Sequence, residues 1–109
     1  MADTREWALR NLESPLTISE LARHAGLSER SLIRRFTSET GMPPLQWLNH
    51  ARVGAARELL EVTDHSIDRV ASGCGLGTAA NLRLHFRRTL QTTPTSYRRT
   101  FQRKSAATA

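Results

Sequence analysis

The chain has 109 residues, enough for one compact domain or two very small ones and too short for most doubly wound or barrel enzymes. With 39% hydrophobic and 24% charged residues it falls outside the composition of disordered chains, its single cysteine (Cys74) excludes an internal disulfide framework, and no apolar run reaches the length of a membrane span. The net charge is +6: residues 1–68 hold eight arginines and all ten acids, and residues 69–109 hold seven arginines, Lys104 and no acid. Such an uneven basic balance points to a polyanionic partner.

Helical spacing recurs along the chain and strand-like alternation does not, so the sequence reads as all-α. Asp3 with Glu6 has the spacing of a capping box, and Trp7, Leu9 and Leu12 form the expected apolar side of a helix to about residue 13. Thr17 with Glu20 opens a second helix carrying Ile18, Leu21, Ala22 and Ala25, closed by Gly26. Ser28 caps a third helix to about Thr40, with Leu32 and Phe36 one turn apart on its buried side and Gly41 at its end. Pro43 and Pro44 start the longest helix, to about Val62, with Leu45, Leu48, Val53, Ala56, Leu59 and Leu60 as its apolar stripe. Asp64 or Ser66 caps a short helix holding Ile67, Val70 and Ala71. After Gly73, Gly75 and Gly77 comes a helix from about Thr78 to Leu90, and Thr93 and Pro94 open a last one through Tyr97 and Phe101, with Ser105 to Ala109 expected as a frayed tail.

An internal repeat organises these elements. Ile18, Leu21, Ala22, Gly26 and Leu27 recur 49 residues later as Ile67, Val70, Ala71, Gly75 and Leu76; beyond the turn the offset is 50, and Leu32, Phe36, Pro44 and Trp47 recur as Leu82, Phe86, Pro94 and Tyr97. Each unit is a short apolar helix, a Gly-Leu turn and a second helix with a polar outer face, which is the pattern of a helix-turn-helix. The domain boundaries that follow are a first subdomain over 1–42, a linker helix over 43–62, a second subdomain over 63–103 and a tail over 104–109.

If Leu32 and Phe36 face inward, Arg30, Ile33, Arg34 and Thr37 share the outer surface of their helix. Arginine pairs bidentately with guanine and an aliphatic side chain meets a thymine methyl, so Arg30, Arg34 and Ile33 are candidates for base contact. In the second unit Asn81 suits adenine, Arg83 suits guanine, and Ala79 and Ala80 permit close approach. Phosphate contacts are expected from Ser28, Thr37, Thr78, Arg87 and Arg88, together with backbone N–H groups at helix N-termini. Cys74 matches Ala25 in the repeat and is expected in the core; the histidines His24, His50, His65 and His85 are scattered singly, and no spacing suggests a metal site, a cofactor or a catalytic set. Gly73, Gly75 and Gly77 lack the strand and the Lys-Ser/Thr of a phosphate loop. Three classes are thereby ordered: a sequence-specific DNA reader, then a non-specific or architectural nucleic-acid binder, then a small enzyme built on Cys74 or a histidine.

The run Leu21-Ala22-Arg23-His24-Ala25-Gly26-Leu27-Ser28, continuing through Leu32, Arg35-Phe36, Gly41, Pro44 and Trp47-Leu48, resembles the DNA-binding domain of AraC/XylS bacterial transcription regulators. So do Ala55-Ala56-Arg57-Glu58-Leu59-Leu60, Ile67, Val70-Ala71, Cys74-Gly75-Leu76, Phe86-Arg87-Arg88, Pro94 and Tyr97-Arg98-Arg99; the likeness runs from about Leu12 to Phe101. Between turn glycine and aromatic the family's second unit has one residue more than its first, as here: ten from Gly26 to Phe36 and eleven from Gly75 to Phe86. The stretch from Gly75 to Arg88 is most similar to the GlxA-like branch, whose members carry an N-terminal amidase-like domain of the PfpI type. The resemblance implies seven helices, two helix-turn-helix subdomains joined by a long linker helix, and two recognition helices in successive major-groove segments of double-stranded DNA, about 34 Å apart. It further implies a cytoplasmic protein with no membrane partner, an effector or dimerisation domain N-terminal to this chain, and a monomeric state for the domain alone. Two departures stand out: Gln91 where many members have glycine, and Gly77 and Ala79 where polar residues are frequent.

Overall fold

The fold is that of a computed structural model, which describes the backbone of residues 1–108 and the side chains of residues 1–104. Among the described residues there are seven helices and no strand: α1 (Ala2–Leu9), α2 (Ile18–Ala25), α3 (Glu29–Thr40), α4 (Pro44–Val62), α5 (Ile67–Cys74), α6 (Ala79–Leu90) and α7 (Pro94–Thr108). Five of them open on a hydroxyl that accepts a backbone N–H three residues on. Thr17, Ser28, Ser66, Thr78 and Thr93 receive Glu20, Ser31, Arg69, Asn81 and Ser96, each at 3.1 Å. A cap of this kind is worth about 1 kcal/mol and fixes where each helix begins. Ser66, and not Asp64, therefore caps α5.

The first helix departs from its expected limits. Met1 precedes α1 without a side-chain cap, so Asp3 lies inside the first turn and the Asp3–Glu6 box is not formed. The Asn11 amide donates to the Trp7 carbonyl at 2.7 Å and ends the helix at Leu9, well before residue 13. Thr4 and Ala8, one turn apart, are the buried pair, and Leu9 points outward. At the other end the closing helix continues to Thr108, past the expected start of the tail; Ala109 and the side chains from Ser105 onward lie outside the described residues.

The chain divides into two compact units, Met1–Ala51 and Arg52 onward, with the boundary inside α4. In the first, Ala8, Leu16, Leu21, Ala22, Leu32, Phe36 and Leu48 form the core, and Trp47 meets Phe36 edge-on at 5.2 Å. In the second, Val53, Ala56, Leu60, Val70, Ala71, Cys74, Leu76, Leu82 and Phe86 do so, and Tyr97 meets Phe86 edge-on at 5.6 Å. The repeat seen in sequence thus recurs as the same aromatic contact in each unit. The long helix supplies one core with Leu48 and the other with Val53, Ala56 and Leu60. Leu45 is not part of its buried stripe: fully buried Pro44 occupies the start of the helix and Leu45 stays 49% exposed.

The second unit has a polar clamp. The Arg98 guanidinium donates to the carbonyls of Leu60, Thr63 and His65 at 3.2, 3.2 and 2.8 Å, satisfying groups that the end of α4 leaves unpaired. Nearby the Tyr97 hydroxyl donates to Glu61, and the Arg57 guanidinium lies 5.4 Å from the centre of the Tyr97 ring.

Candidate nucleic-acid interface

The first helix-turn-helix is α2, a turn and α3. Gly26 closes α2 with a left-handed φ of 70°, and the Leu27 N–H donates to the Ala22 carbonyl at 2.9 Å, which reverses the chain in two residues. Leu32 and Phe36 are fully buried, so the face of α3 carrying Arg30, Ile33, Arg34 and Thr37 is turned to solvent, as the spacing requires. Ile33 is 42% exposed, a large aliphatic side chain held in water between arginines. Glu39, toward the end of the same helix, is drawn to Arg5 of α1 at 3.3 Å. An exposed pair of this kind adds at most about 1 kcal/mol, but it directs one of the unit's acids toward α1.

The polar groups at this face differ in what they have left to give. Ser28 Oγ accepts from the Ser31 N–H and keeps its own proton to donate. Thr37 does not: its hydroxyl donates to the Ile33 carbonyl at 2.7 Å, so a phosphate would have to break that bond to receive it.

The second helix-turn-helix is α5, a turn and α6. Gly75 closes α5 at φ 90°, and Gly77 follows at φ 83° before Thr78 caps α6. Leu82 and Phe86 are buried, and Ala80, Arg83, Leu84 and Arg87 lie along one exposed face at helical spacing, with Arg88 beside them. Arg87 and Arg88 occupy the last turn of α6, where the helix dipole favours cations. No ion pair joins Arg30, Arg34, Arg83, Arg87 or Arg88 to another described residue, which leaves all five guanidiniums able to meet an anion.

Two residues of α6 differ from the sequence reading. Asn81 is half-buried and its amide donates to the Leu76 carbonyl at 2.9 Å, so it is directed into the turn and not along the Ala80–Arg83–Arg87 face. Leu84, which residue chemistry alone does not single out, is 46% exposed on that face. The signal that could have found it is the repeat itself, because Leu84 stands 50 residues after Arg34. His85, in the next position, is half-buried; burial, then the charges of Arg88 and Arg52, hold its imidazole below its usual pKa, so it is neutral at pH 7. The Cys74 thiol is completely buried and burial raises its pKa, which keeps it protonated. Two open clefts, of about 500 Å³ beside Trp7 and His24 and of about 400 Å³ beside Arg57 and Phe101, are lined by no residue of α3 or α6. The exposed faces of α3 and α6 lie outside both clefts.

Comparison with known proteins bears on this arrangement. The family model described as a helix-turn-helix domain matches residues 21–100. The HTH-type transcriptional regulator Rv1931c of Mycobacterium tuberculosis is 38% identical over 84 residues, which is 77% of this chain and 32% of that protein. The HTH-type transcriptional activator RhaS of Salmonella schwarzengrund is 32% identical over 92 residues, 84% of this chain and 33% of that one. The chain therefore spans about a third of the length of these regulators. Among solved structures, the DNA-binding domain of AdpA, a global transcriptional factor crystallised in complex with a target DNA, superposes with a TM-score of 0.91 at 43% identity, covering 94% of this chain and 93% of that one. A regulator from Chromobacterium violaceum with an AraC-type DNA-binding domain gives 0.86 at 27% identity, covering 92% and 89%.

Proposed function

The chain belongs to the AraC-type helix-turn-helix family, and from that premise we propose that it is the DNA-reading domain of a bacterial transcription regulator, binding double-stranded DNA sequence-specifically. The observation that carries this reading is the pair of capped, solvent-facing helices α3 and α6, each braced through a tight turn and each displaying arginines without acidic partners. In this reading α3 and α6 enter successive major-groove segments. Arg30, Ile33 and Arg34 face bases in one, and Ala80, Arg83 and Leu84 in the other, where Leu84 offers a methyl-sized apolar contact to thymine.

Ser28, Thr78, Arg87 and Arg88 hold phosphates and set register without choosing sequence. Thr37 joins them only by giving up its bond to Ile33. The similarity to a domain crystallised on its target DNA supports double-stranded DNA as the partner.

Burial and protonation of Cys74 count against an enzyme built on that thiol. Two readers in one chain let it engage DNA as a monomer. The greater length of the matching regulators supports an effector or dimerisation domain N-terminal to this one in the whole protein, acting in the cytoplasm where a bacterial chromosome lies.

Selection from a random duplex pool, followed by binding at two salt concentrations, tests the reading. A motif with two elements one helical turn apart is expected, with Arg34→Ala or Arg83→Ala weakening binding by about 1–3 kcal/mol and relaxing preference at one base pair each. Equal affinity for random and selected duplexes at fixed salt would instead indicate a non-specific binder.

A further inference from the structure

The two turns are not the same length, and Asn81 sits where they differ. In the first unit the turn is closed by the Leu27 N–H on the Ala22 carbonyl. In the second the corresponding carbonyl, Ala71, receives the N–H of Gly77 at 2.9 Å, one residue later than the repeat predicts. Gly77 is the inserted residue, and its φ of 83° is open to glycine at no steric cost. The insertion leaves the Leu76 carbonyl as an acceptor that two groups converge on, the Thr78 N–H at 3.0 Å and the Asn81 amide at 2.9 Å. The equivalent of Asn81 in the first unit is Ser31, which carries no amide to reach back with.

We infer that Asn81 is a positioning residue of the second reader: it closes the lengthened turn and fixes the angle at which α6 leaves it, and it does not pair with an adenine. Bidentate adenine recognition needs the whole amide edge presented to the groove. Here the edge is directed at Leu76 and half-buried, while the Asn81 backbone N–H is held by the Thr78 cap. Both hydrogen bonds fasten the start of α6 to the same turn. A loosened turn would leave only a fraction of molecules with α6 aimed correctly, and every duplex would be bound more weakly by that fraction.

This inference rests on the DNA-reading function proposed above, and the experiment separates the two. The probe is a duplex selected from a random pool by the wild-type chain, together with its set of single base-pair variants. Asn81→Ser should weaken binding to all of them by one common factor, below about fivefold for one net hydrogen bond and smaller the more firmly the wild-type turn stays closed, with base preferences unchanged. In a background with Gly77 deleted, which restores the spacing of the first unit, Asn81→Ser should have no further effect. In the free chain the Gly77 amide should exchange with solvent about fivefold faster in Asn81→Ser than in wild type.

Loss of preference at one base pair, an undiminished effect in the Gly77-deleted background, or unchanged Gly77 exchange would each overturn the assignment. The exchange measurement decides even where the deletion abolishes folding. Failure of the wild-type chain to select any motif would count against DNA reading itself, and not against the lock, which the free chain reports.

Discussion

The two units share one scaffold and diverge on its surface. Phe36 and Phe86, Leu32 and Leu82, Pro44 and Pro94 are buried at corresponding places, and Trp47 and Tyr97 meet their phenylalanines at nearly the same distance. On the outside, Arg30 faces Ala80 across the repeat, Arg34 faces Leu84, and Arg35 faces His85. Charge divides just as unevenly. Residues 1–51 carry six arginines and six acids, whereas residues 52–109 carry nine arginines, Lys104 and four acids. A core position must match the shape of its neighbours, while an exposed one need only remain solvated until a ligand arrives. The buried repeat is therefore scaffold, and the surface differences are where the units can divide their work.

The strongest test of the shared scaffold is to remove the same atom set from each core. Phe36→Ala and Phe86→Ala should each destabilise their own unit by about 3–5 kcal/mol, read by denaturant unfolding with amide exchange to locate the loss. Similar losses would support equivalent cores. A large effect in one and a small effect in the other would show that the repeat persists in contact geometry but not in energy.

The charge division predicts an unequal grip on phosphate. Removing Arg87 and Arg88 together should reduce the salt dependence of binding by close to two phosphate contacts, a slope change of roughly 1.8. Between 50 and 200 mM salt that is about a tenfold change in relative affinity. Arg30→Ala should leave the slope nearly unchanged and alter base preference instead. Equal slopes in the two variants would place the phosphate contacts evenly and dissolve the proposed division.

The helix ends offer a smaller and cleaner contrast. Gly41 closes α3 at φ 81°, a conformation glycine adopts freely, whereas Gln91 closes α6 at φ 55° and is the one non-glycine residue with positive φ among those described. Gln91→Gly should stabilise the second unit by about 1 kcal/mol, and Gly41→Gln should destabilise the first by a similar amount. Matching shifts of opposite sign in thermal unfolding would confirm that the two ends differ only in strain. No gain from Gln91→Gly would mean that the Gln91 amide, which donates to the Arg88 carbonyl at 3.3 Å, compensates for the backbone.

These contrasts also mark what the sequence made legible. Caps at Thr17, Ser28 and Thr93 could be read because a cap is a local arrangement of three or four residues. Much of each core could be read because Leu21, Ala22, Leu32 and Phe36 recur as Val70, Ala71, Leu82 and Phe86 at offsets of 49 and then 50. Leu9 and Leu45 could not be placed: both have apolar spacing, but each sits near a helix end where Asn11 or Pro44 decides what is covered. For Asn81 the residue type suggests adenine, and only the lengthened turn shows that its amide donates to the Leu76 carbonyl. Leu84 is marked only by the repeat, since residue chemistry favours Arg83 beside it.

The smallest predicted effect comes from His85, which stands where the first unit has Arg35. Arg35 is an exposed residue of α3. His85 is half-buried, with Arg88 of its own helix and Arg52 of α4 as the charges acting on it, and its folded-state pKa is depressed. The neutral imidazole is the form that the fold favours. Its contribution to stability is therefore complete above the unfolded-state pKa of about 6.5, and it is lost as pH falls through that value to the folded-state pKa. The second unit should thus lose stability between pH 7.5 and 5.5 by a margin that His85→Gln removes, since glutamine does not titrate. The carboxylates contribute equally to both chains and cancel in the difference. Identical pH profiles for wild type and His85→Gln would show that the two arginines and burial leave no net penalty on the imidazolium, and that the units respond alike to acid at this position.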